Sequence, residues 1–290
     1  MTAVIQYALL GIGLGAIYAL LGQGIVLIYR GSGVLNIAHG GFAMFAAYLY
    51  LQLHYPQTLG SVTNSGAWPV LPSIVAAVAA TALIGLATDQ LLLRRMRKAS
   101  PLSRLIGTMG VLLALEAVAE RVWGAVPPFA PPLLPTQAWH LGSSITLPSS
   151  YVWLLAIAVG LTVVLTLVWR FTRVGWVTVA VSHNQRAAGA LGISPDLVSS
   201  GTWVAGAALA GLAGILVSPI TQVSIGSLSA LVIPVLAAVL LGGFESFPAT
   251  LASGLFIGIA QTVIVNYNGF FEHHHHDHEE GKRVRRHRDV

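Results

Sequence analysis

An amide, an imidazole and two glycines interrupt hydrocarbon near the start of this chain, in the run Asn36-Ile37-Ala38-His39-Gly40-Gly41-Phe42. Apolar segments flank it on both sides. An asparagine side chain both donates and accepts hydrogen bonds, and so does a neutral imidazole. Groups of this kind are costly against lipid, so they face a bundle interior or a water-filled path. The chemistry on offer is passage of a polar solute, not covalent catalysis. Asn36, His39 and Gly40 are therefore candidates for a transport path. For His39, a buried imidazole bonded between helices is the equal alternative.

Few other residues could do chemistry. Glu116 and Glu120 are one helical turn apart on one face, followed by Arg121. Glu116 is a candidate for lining the path, and Glu120 with Arg121 suits the outer membrane interface. Five of the ten histidines gather in one place, His273, His274, His275, His276 and His278, among carboxylates. They are weak candidates for Zn²⁺ or Ni²⁺, against a plain linker or a non-native extension. No metal site is expected elsewhere. A membrane-embedded enzyme would need clustered His, Asp or Ser at catalytic spacing, which this chain lacks outside that tract.

The elements that must position these residues follow from composition. Of 290 residues, 55% are hydrophobic and 9% charged, with mean hydropathy +0.76. Soluble domains carry roughly 25% charged residues, so this chain is expected to be a polytopic membrane protein. There is no cysteine, which excludes disulfides and thiolate metal sites. The start lacks a basic segment and a small-residue cleavage site, so the first apolar run reads as a retained span. Apolar runs near 4–28, 34–53, 70–93, 105–123, 150–169, 197–218 and 248–267 are long enough to cross. A shorter run, 228–241, contains Pro234 and ends at Gly242-Gly243, a helix break. It fits either a re-entrant half-helix or a tilted, broken span. The fold class is thus all-α, a transmembrane helix bundle of about seven or eight spans with one short segment. Residues 1–271 form this domain; 272–290, charged and His-rich, read as a disordered tail.

Charge orients the bundle. The chain has 15 Lys/Arg and 10 Asp/Glu; five of each lie in 272–290, leaving ten and five before it. That basic excess sits in alternate loops: Arg30; then Arg94, Arg95, Arg97, Lys98 and Arg104; then Arg170, Arg173 and Arg186. The positive-inside rule places these loops in the cytoplasm and the N-terminus outside. Loops 54–69 and 124–149 are then external, the second stiffened by Pro127, Pro128, Pro131, Pro132 and Pro135. The side of the tail depends on whether the spans number seven or eight. Nothing beyond the basic loops favours a nucleic-acid partner, and none is expected.

Glycines at small-xxx-small spacing, Gly11 with Gly15 and Gly254 with Gly258, together with Ala207, Gly211 and Gly214, point to close helix packing within the bundle. The internal loop 172–193 is mixed in character. Gly175 and Gly192 would bound a short helix, and small Ala187 and Ala188 follow Arg186. It suits either a docking surface for another protein or a solvated helix on the membrane surface.

Three blocks together resemble the permease subunits of bacterial ABC importers for branched-chain amino acids. They are Tyr29 to Phe42, Thr172 to Ile193, and Leu241-Gly242-Gly243-Phe244-Glu245-Ser246 running into Gly254 to Gly258. In order and spacing the likeness covers about 1–266. The resemblance implies a multi-pass protein of the bacterial inner membrane and no enzymatic activity of its own. It implies partners: a second permease subunit as homo- or heterodimer, cytoplasmic ATP-binding subunits, and a periplasmic or extracellular solute-binding protein. It also implies that 172–193 docks on the ATPase, through the family's Glu-Ala-Ala-xxx-Gly element. Here Ala187-Ala188 and Gly192 match and Arg186 replaces the acid; Glu245 stands where a small residue is common. No cofactor is expected in this chain, since no Walker A sequence occurs and ATP belongs to the partner. The alternative is a stand-alone secondary transporter or channel for a small polar solute, which would call for mid-membrane carboxylates, with Glu116 the one candidate.

Overall fold

The computed structural model describes the backbone of residues 2–286 except 57, 64–67, 125–127, 129, 142–144 and 221–223; side chains are further undescribed at 2–4, 140, 141, 145, 146, 183, 185 and 267–286. The chain runs through helices α1 (Thr2–Ser32), α2 (His39–His54), α3 (Val70–Ala87), α4 (Pro101–Trp123) and α5 (Ser149–Phe171). Then follow α6 (Arg173–His183), α7 (Gln185–Ala190), α8 (Pro195–Val217), α9 (Ile225–Ala230), α10 (Val232–Leu241) and α11 (Phe247–Arg286). Six of these are long and apolar enough to cross a membrane.

Local sequence explains where several begin. Ser100 accepts a hydrogen bond from the Ser103 amide, and Pro101 opens α4 where a missing N–H is harmless. Pro195 opens α8 in the same way. The chain between α9 and α10 breaks at Leu231, not at Pro234, because a proline in the first turn of α10 removes no helical bond.

Burial separates the helices into two classes. The crossing part of α1 is 89% buried, that of α8 67%, while α4 has only 11% buried. In α2, 12 of 16 residues are buried. Helices α1, α2 and α8 therefore form the interior, and α3, α4, α5 and α11 present an apolar face to lipid. Small residues let the inner helices touch. A Cβ added at Gly11 would lie 2.5 Å from Ile259 Cα, and one at Gly15 2.6 Å from Leu255 Cα. Gly254 meets Ala19, and Gly258 meets Gly15. The glycine stripes join α1 to α11 inside one chain. Similarly, Gly214 of α8 packs on the Ala43 backbone of α2.

These contacts count the passes. Helix α11 runs antiparallel to α1, since Gly22 meets Thr250 while Gly11 meets Ile259. Helices α9 and α10 together return the chain from the outer end of α8 to the inner end of α1, where Phe244 packs on Tyr29 at 4.8 Å. The 228–241 run is thus a broken span, and the described residues make eight passes. The described side chains of α11 stop at Asn266, toward the end of the bundle where α1 begins. The His-rich tract, with its candidate ligands His273 to His276 and His278, falls outside the described side chains; among the described residues no group of metal-binding side chains occurs.

Two external loops contain small hairpins. One pairs β1 (Thr58–Leu59) with β2 (Val62–Thr63), and Ser61 N–H donates to the Val122 carbonyl at 3.0 Å, tying it to the outer end of α4. The other pairs β3 (Ala138–Leu141) with β4 (Ile145–Pro148) beyond the prolines.

Candidate functional site

The apolar run expected to cross over 34–53 does not start as a helix. Residues 33–38 are irregular, and α2 begins only at His39. Gly33 turns the chain at φ 66°, its N–H still bonded to Tyr29 at 2.8 Å. The segment then runs back into the bundle. His39 packs on Gly24, eight residues before the end of α1, or roughly 12 Å from the inner end at 1.5 Å per residue. Irregular backbone at such depth persists only where protein or water covers it. Thr108 of α4 supplies that cover. Its hydroxyl accepts from the Ile37 amide at 3.2 Å and donates to the Leu105 carbonyl of its own helix at 2.8 Å, with the Leu35 carbonyl a longer contact at 3.3 Å. Sequence reasoning missed Thr108; a lone threonine in an apolar run gives no signal of its own.

The polar side chains here are enclosed and idle. Asn36 is 0% exposed and His39 1%. Neither amide atom of Asn36 and neither ring nitrogen of His39 has a hydrogen-bond partner among the described residues. The Leu21 carbonyl approaches the imidazole without meeting hydrogen-bond geometry. Gly24 makes room for the ring: a Cβ there would lie 2.5 Å from His39 Cε1 and 2.9 Å from the Gly206 carbonyl of α8. His39 thus sits at the crossing of α1 and α8, edge-on to Phe42, which in turn meets Trp203 of α8. Gly40 lies against the Ser229 backbone at the end of α9, and the Ser229 hydroxyl also lacks a partner. The N-terminus of α2 has no side-chain cap. Its first amides carry partial positive charge with no acceptor from a cap. Together these groups can hydrogen-bond a solute or water that reaches them when the helices part.

A second polar cluster lies closer to the cytoplasm. Helix α3 ends in a π-helical segment, Thr88–Leu93. It buries Asp89, 2% exposed, whose carboxylate accepts from Ser199 Oγ at 2.8 Å and Ser200 Oγ at 2.6 Å of α8. Arg94 Nη2 donates to Ser200 at 3.1 Å, and Arg97 forms an ion pair with Asp196. A pocket of about 100 Å³ beside it is lined by Val34, Asp89, Arg97 and Arg104. Sequence reasoning missed Asp89; a carboxylate inside the apolar run 70–93 was a signal that could have found it, whereas its serine partners gave none.

The family model for branched-chain amino acid transport system permease components matches residues 7–279. The chain belongs to this family. It is 28% identical over 266 residues to the high-affinity branched-chain amino acid transport system permease protein LivH of Escherichia coli (strain K12), covering 89% of this chain and 84% of the relative. It is 27% identical over 267 residues to LivH of Salmonella typhimurium and 27% over 264 residues to BraD of Pseudomonas aeruginosa. No solved structure matches. The chain is a permease component and not an enzyme, a multi-pass protein of the inner membrane.

The remaining expected residues of the permease fall in three places. Gly175 is buried at the α5–α6 corner, where any Cβ would collide with the Trp169 carbonyl; its smallness serves that corner rather than a partner. Asn184 caps α7 by accepting from the Ala187 amide at 3.0 Å. Gly192 ends α7 at φ 80°, with Ile193 N–H returning to the Ala188 carbonyl at 3.0 Å. Arg186 and Ala187 are exposed, but Ala188 is 2% exposed and packs within the chain. Ala188 therefore supports α7 from beneath, and Leu191, 81% exposed, presents the apolar surface instead. Gly242 caps α10 against Thr250, and Gly243 turns at φ 75°. Glu116 is half-buried on α4 and makes no hydrogen bond or ion pair among the described residues.

Proposed function

We propose that this permease is the membrane-spanning part of an ATP-driven ABC importer for branched-chain amino acids, with Asn36, His39 and Gly40 on the solute path and Glu116 on its outer half. ATP is bound and hydrolysed by separate cytoplasmic subunits, a solute-binding protein delivers the amino acid from outside, and a second permease subunit completes the membrane part. The observation that carries the reading is a break in a membrane helix with buried polar groups left unpartnered at its end. Polar groups serving the fold are bonded; these are available to something that passes.

Coupling follows from connectivity. The exposed face of α7, with Arg186, Ala187 and Leu191, meets the ATPase. Residues 191–194 join α7 directly to α8. Helix α8 is held at its inner end by Asp89 and touches the His39 site through Gly206. A push on α7 thus moves the helix that closes the site.

The test is reconstitution with the cognate ATPase and binding protein in proteoliposomes. ATP-dependent leucine uptake, with ATP hydrolysis stimulated by the liganded binding protein, is expected. Leu191→Asp should abolish co-purification with the ATPase while membrane abundance stays unchanged. Uptake that proceeds without ATP would overturn the reading in favour of a stand-alone carrier.

A further inference from the structure

A cavity of about 500 Å³ opens at the cytoplasmic end of the bundle, between the end of α1, α6 and the turn before α11. Two opposite charges line it, Arg30 and Glu245. They interact electrostatically yet form no direct ion pair. Each is positioned by its own surroundings. The Arg30 guanidinium lies 5.3 Å from the Phe247 ring centre and 5.8 Å from that of Trp169, contacts that hold a cation in place. Glu245 follows Phe244, a non-glycine residue at φ 58° whose ring packs on Tyr29. Strain of this kind persists where the surroundings over-determine it, and it gathers at functional sites. Ser32 and Ser182 add hydroxyls to the wall, and Val179 adds an apolar patch.

We infer that this cavity is an exit subsite for a zwitterionic α-amino acid. The solute's carboxylate faces the Arg30 guanidinium, whose planar fork suits two oxygens. Its ammonium faces Glu245, and its side chain lies on Val179. A molecule carrying both charges on one carbon bridges two groups that do not meet each other. A solute with a single charge leaves one of them unanswered. The subsite rests on the proposed amino-acid import and names where the solute stands before release to the cytoplasm.

The chain has no native cysteine, so a single one reports cleanly. Ser182→Cys is introduced, and the complex is labelled from the cytoplasmic side with a charged maleimide. Leucine at about ten times its Kd should slow labelling about tenfold, by the factor 1 + [L]/Kd. The acid 4-methylpentanoate and the amine 3-methylbutylamine, each lacking one charge, should not. Adding Glu245→Gln should remove protection by leucine. Equal protection by all three compounds, or none by leucine, would overturn the subsite. So would protection that appears only with phosphatidylethanolamine vesicles, which would assign the cavity to a lipid headgroup. Uptake by the wild-type complex separates the two claims. If it imports leucine and the cysteine is unprotected, the subsite falls alone. If the cysteine is protected and no branched-chain amino acid is imported, the transport reading falls and the cavity stands as an amino-acid site but not as an exit subsite.

Discussion

The polar groups around Asp89 and those around Asn36 lie on the inner half of the same bundle, and the fold treats them in opposite ways. Asp89 is met by two serine hydroxyls, with Arg94 completing the chain of bonds. Asn36 and His39 are at least as deeply buried, and among the described residues neither has a hydrogen-bond partner; only the Leu21 carbonyl approaches the imidazole. A buried carboxylate without donors would be prohibitive, so the first cluster has to be satisfied for the chain to fold. A neutral amide or imidazole costs less to bury, so a protein can retain it unpaired where passage of solute requires it. One cluster fastens α3 to α8; the other waits where α1, α2 and α8 cross.

Substitutions should pull the two apart. The largest effect is expected for Asp89→Leu, which strands Ser199 and Ser200 and should destabilise the protein by about 3 kcal/mol. Thermal unfolding in detergent would register the loss, and abundance should fall with transport. Unchanged stability would mean that the clasp holds nothing. Asn36→Leu should do the reverse. Uptake per folded transporter should drop about tenfold, equal to about 1.4 kcal/mol in the limiting barrier, while the unfolding temperature stays level or rises. Should stability and uptake fall together, Asn36 would be a structural group and the contrast would dissolve.

Smaller effects sharpen the boundary between the clusters. Thr108→Val leaves the Ile37 amide without its acceptor and should cost roughly 1–2 kcal/mol. Its loss of uptake should exceed its loss of abundance, because it loosens the segment that carries Asn36. Gly192→Ala should cost about 1 kcal/mol, since an alanine resists the left-handed geometry that closes α7. Co-purification with the ATPase should weaken in proportion, and insertion into the membrane should not change.

The bundle was largely legible in the sequence because crossing a membrane demands about 20 apolar residues per helix, and runs such as 105–123 and 150–169 reappear as α4 and α5 within a few residues. The break at 33–38 was not. Hydropathy counts carbon and cannot tell a helix from an extended segment sheltered by a neighbour, and the shelter, Thr108, lies far along the chain. Ala188 illustrates a second limit. A small residue fits an outer contact and an inner one equally well, and only its placement over the chain's own helices decided for the inner one.

By itself the sequence determined the membrane and the family, since apolar length and motif order are properties of the chain read linearly. Tertiary structure alone decided which polar groups are answered. Asp89 finds serines 110 and 111 residues away, whereas Asn36 and His39 find no hydrogen-bond partner among the described residues. Hydrogen bonds between distant segments depend on how helices cross, and helix crossings are set by small residues such as Gly24, Gly206 and Gly214 that read as featureless until the bundle is assembled.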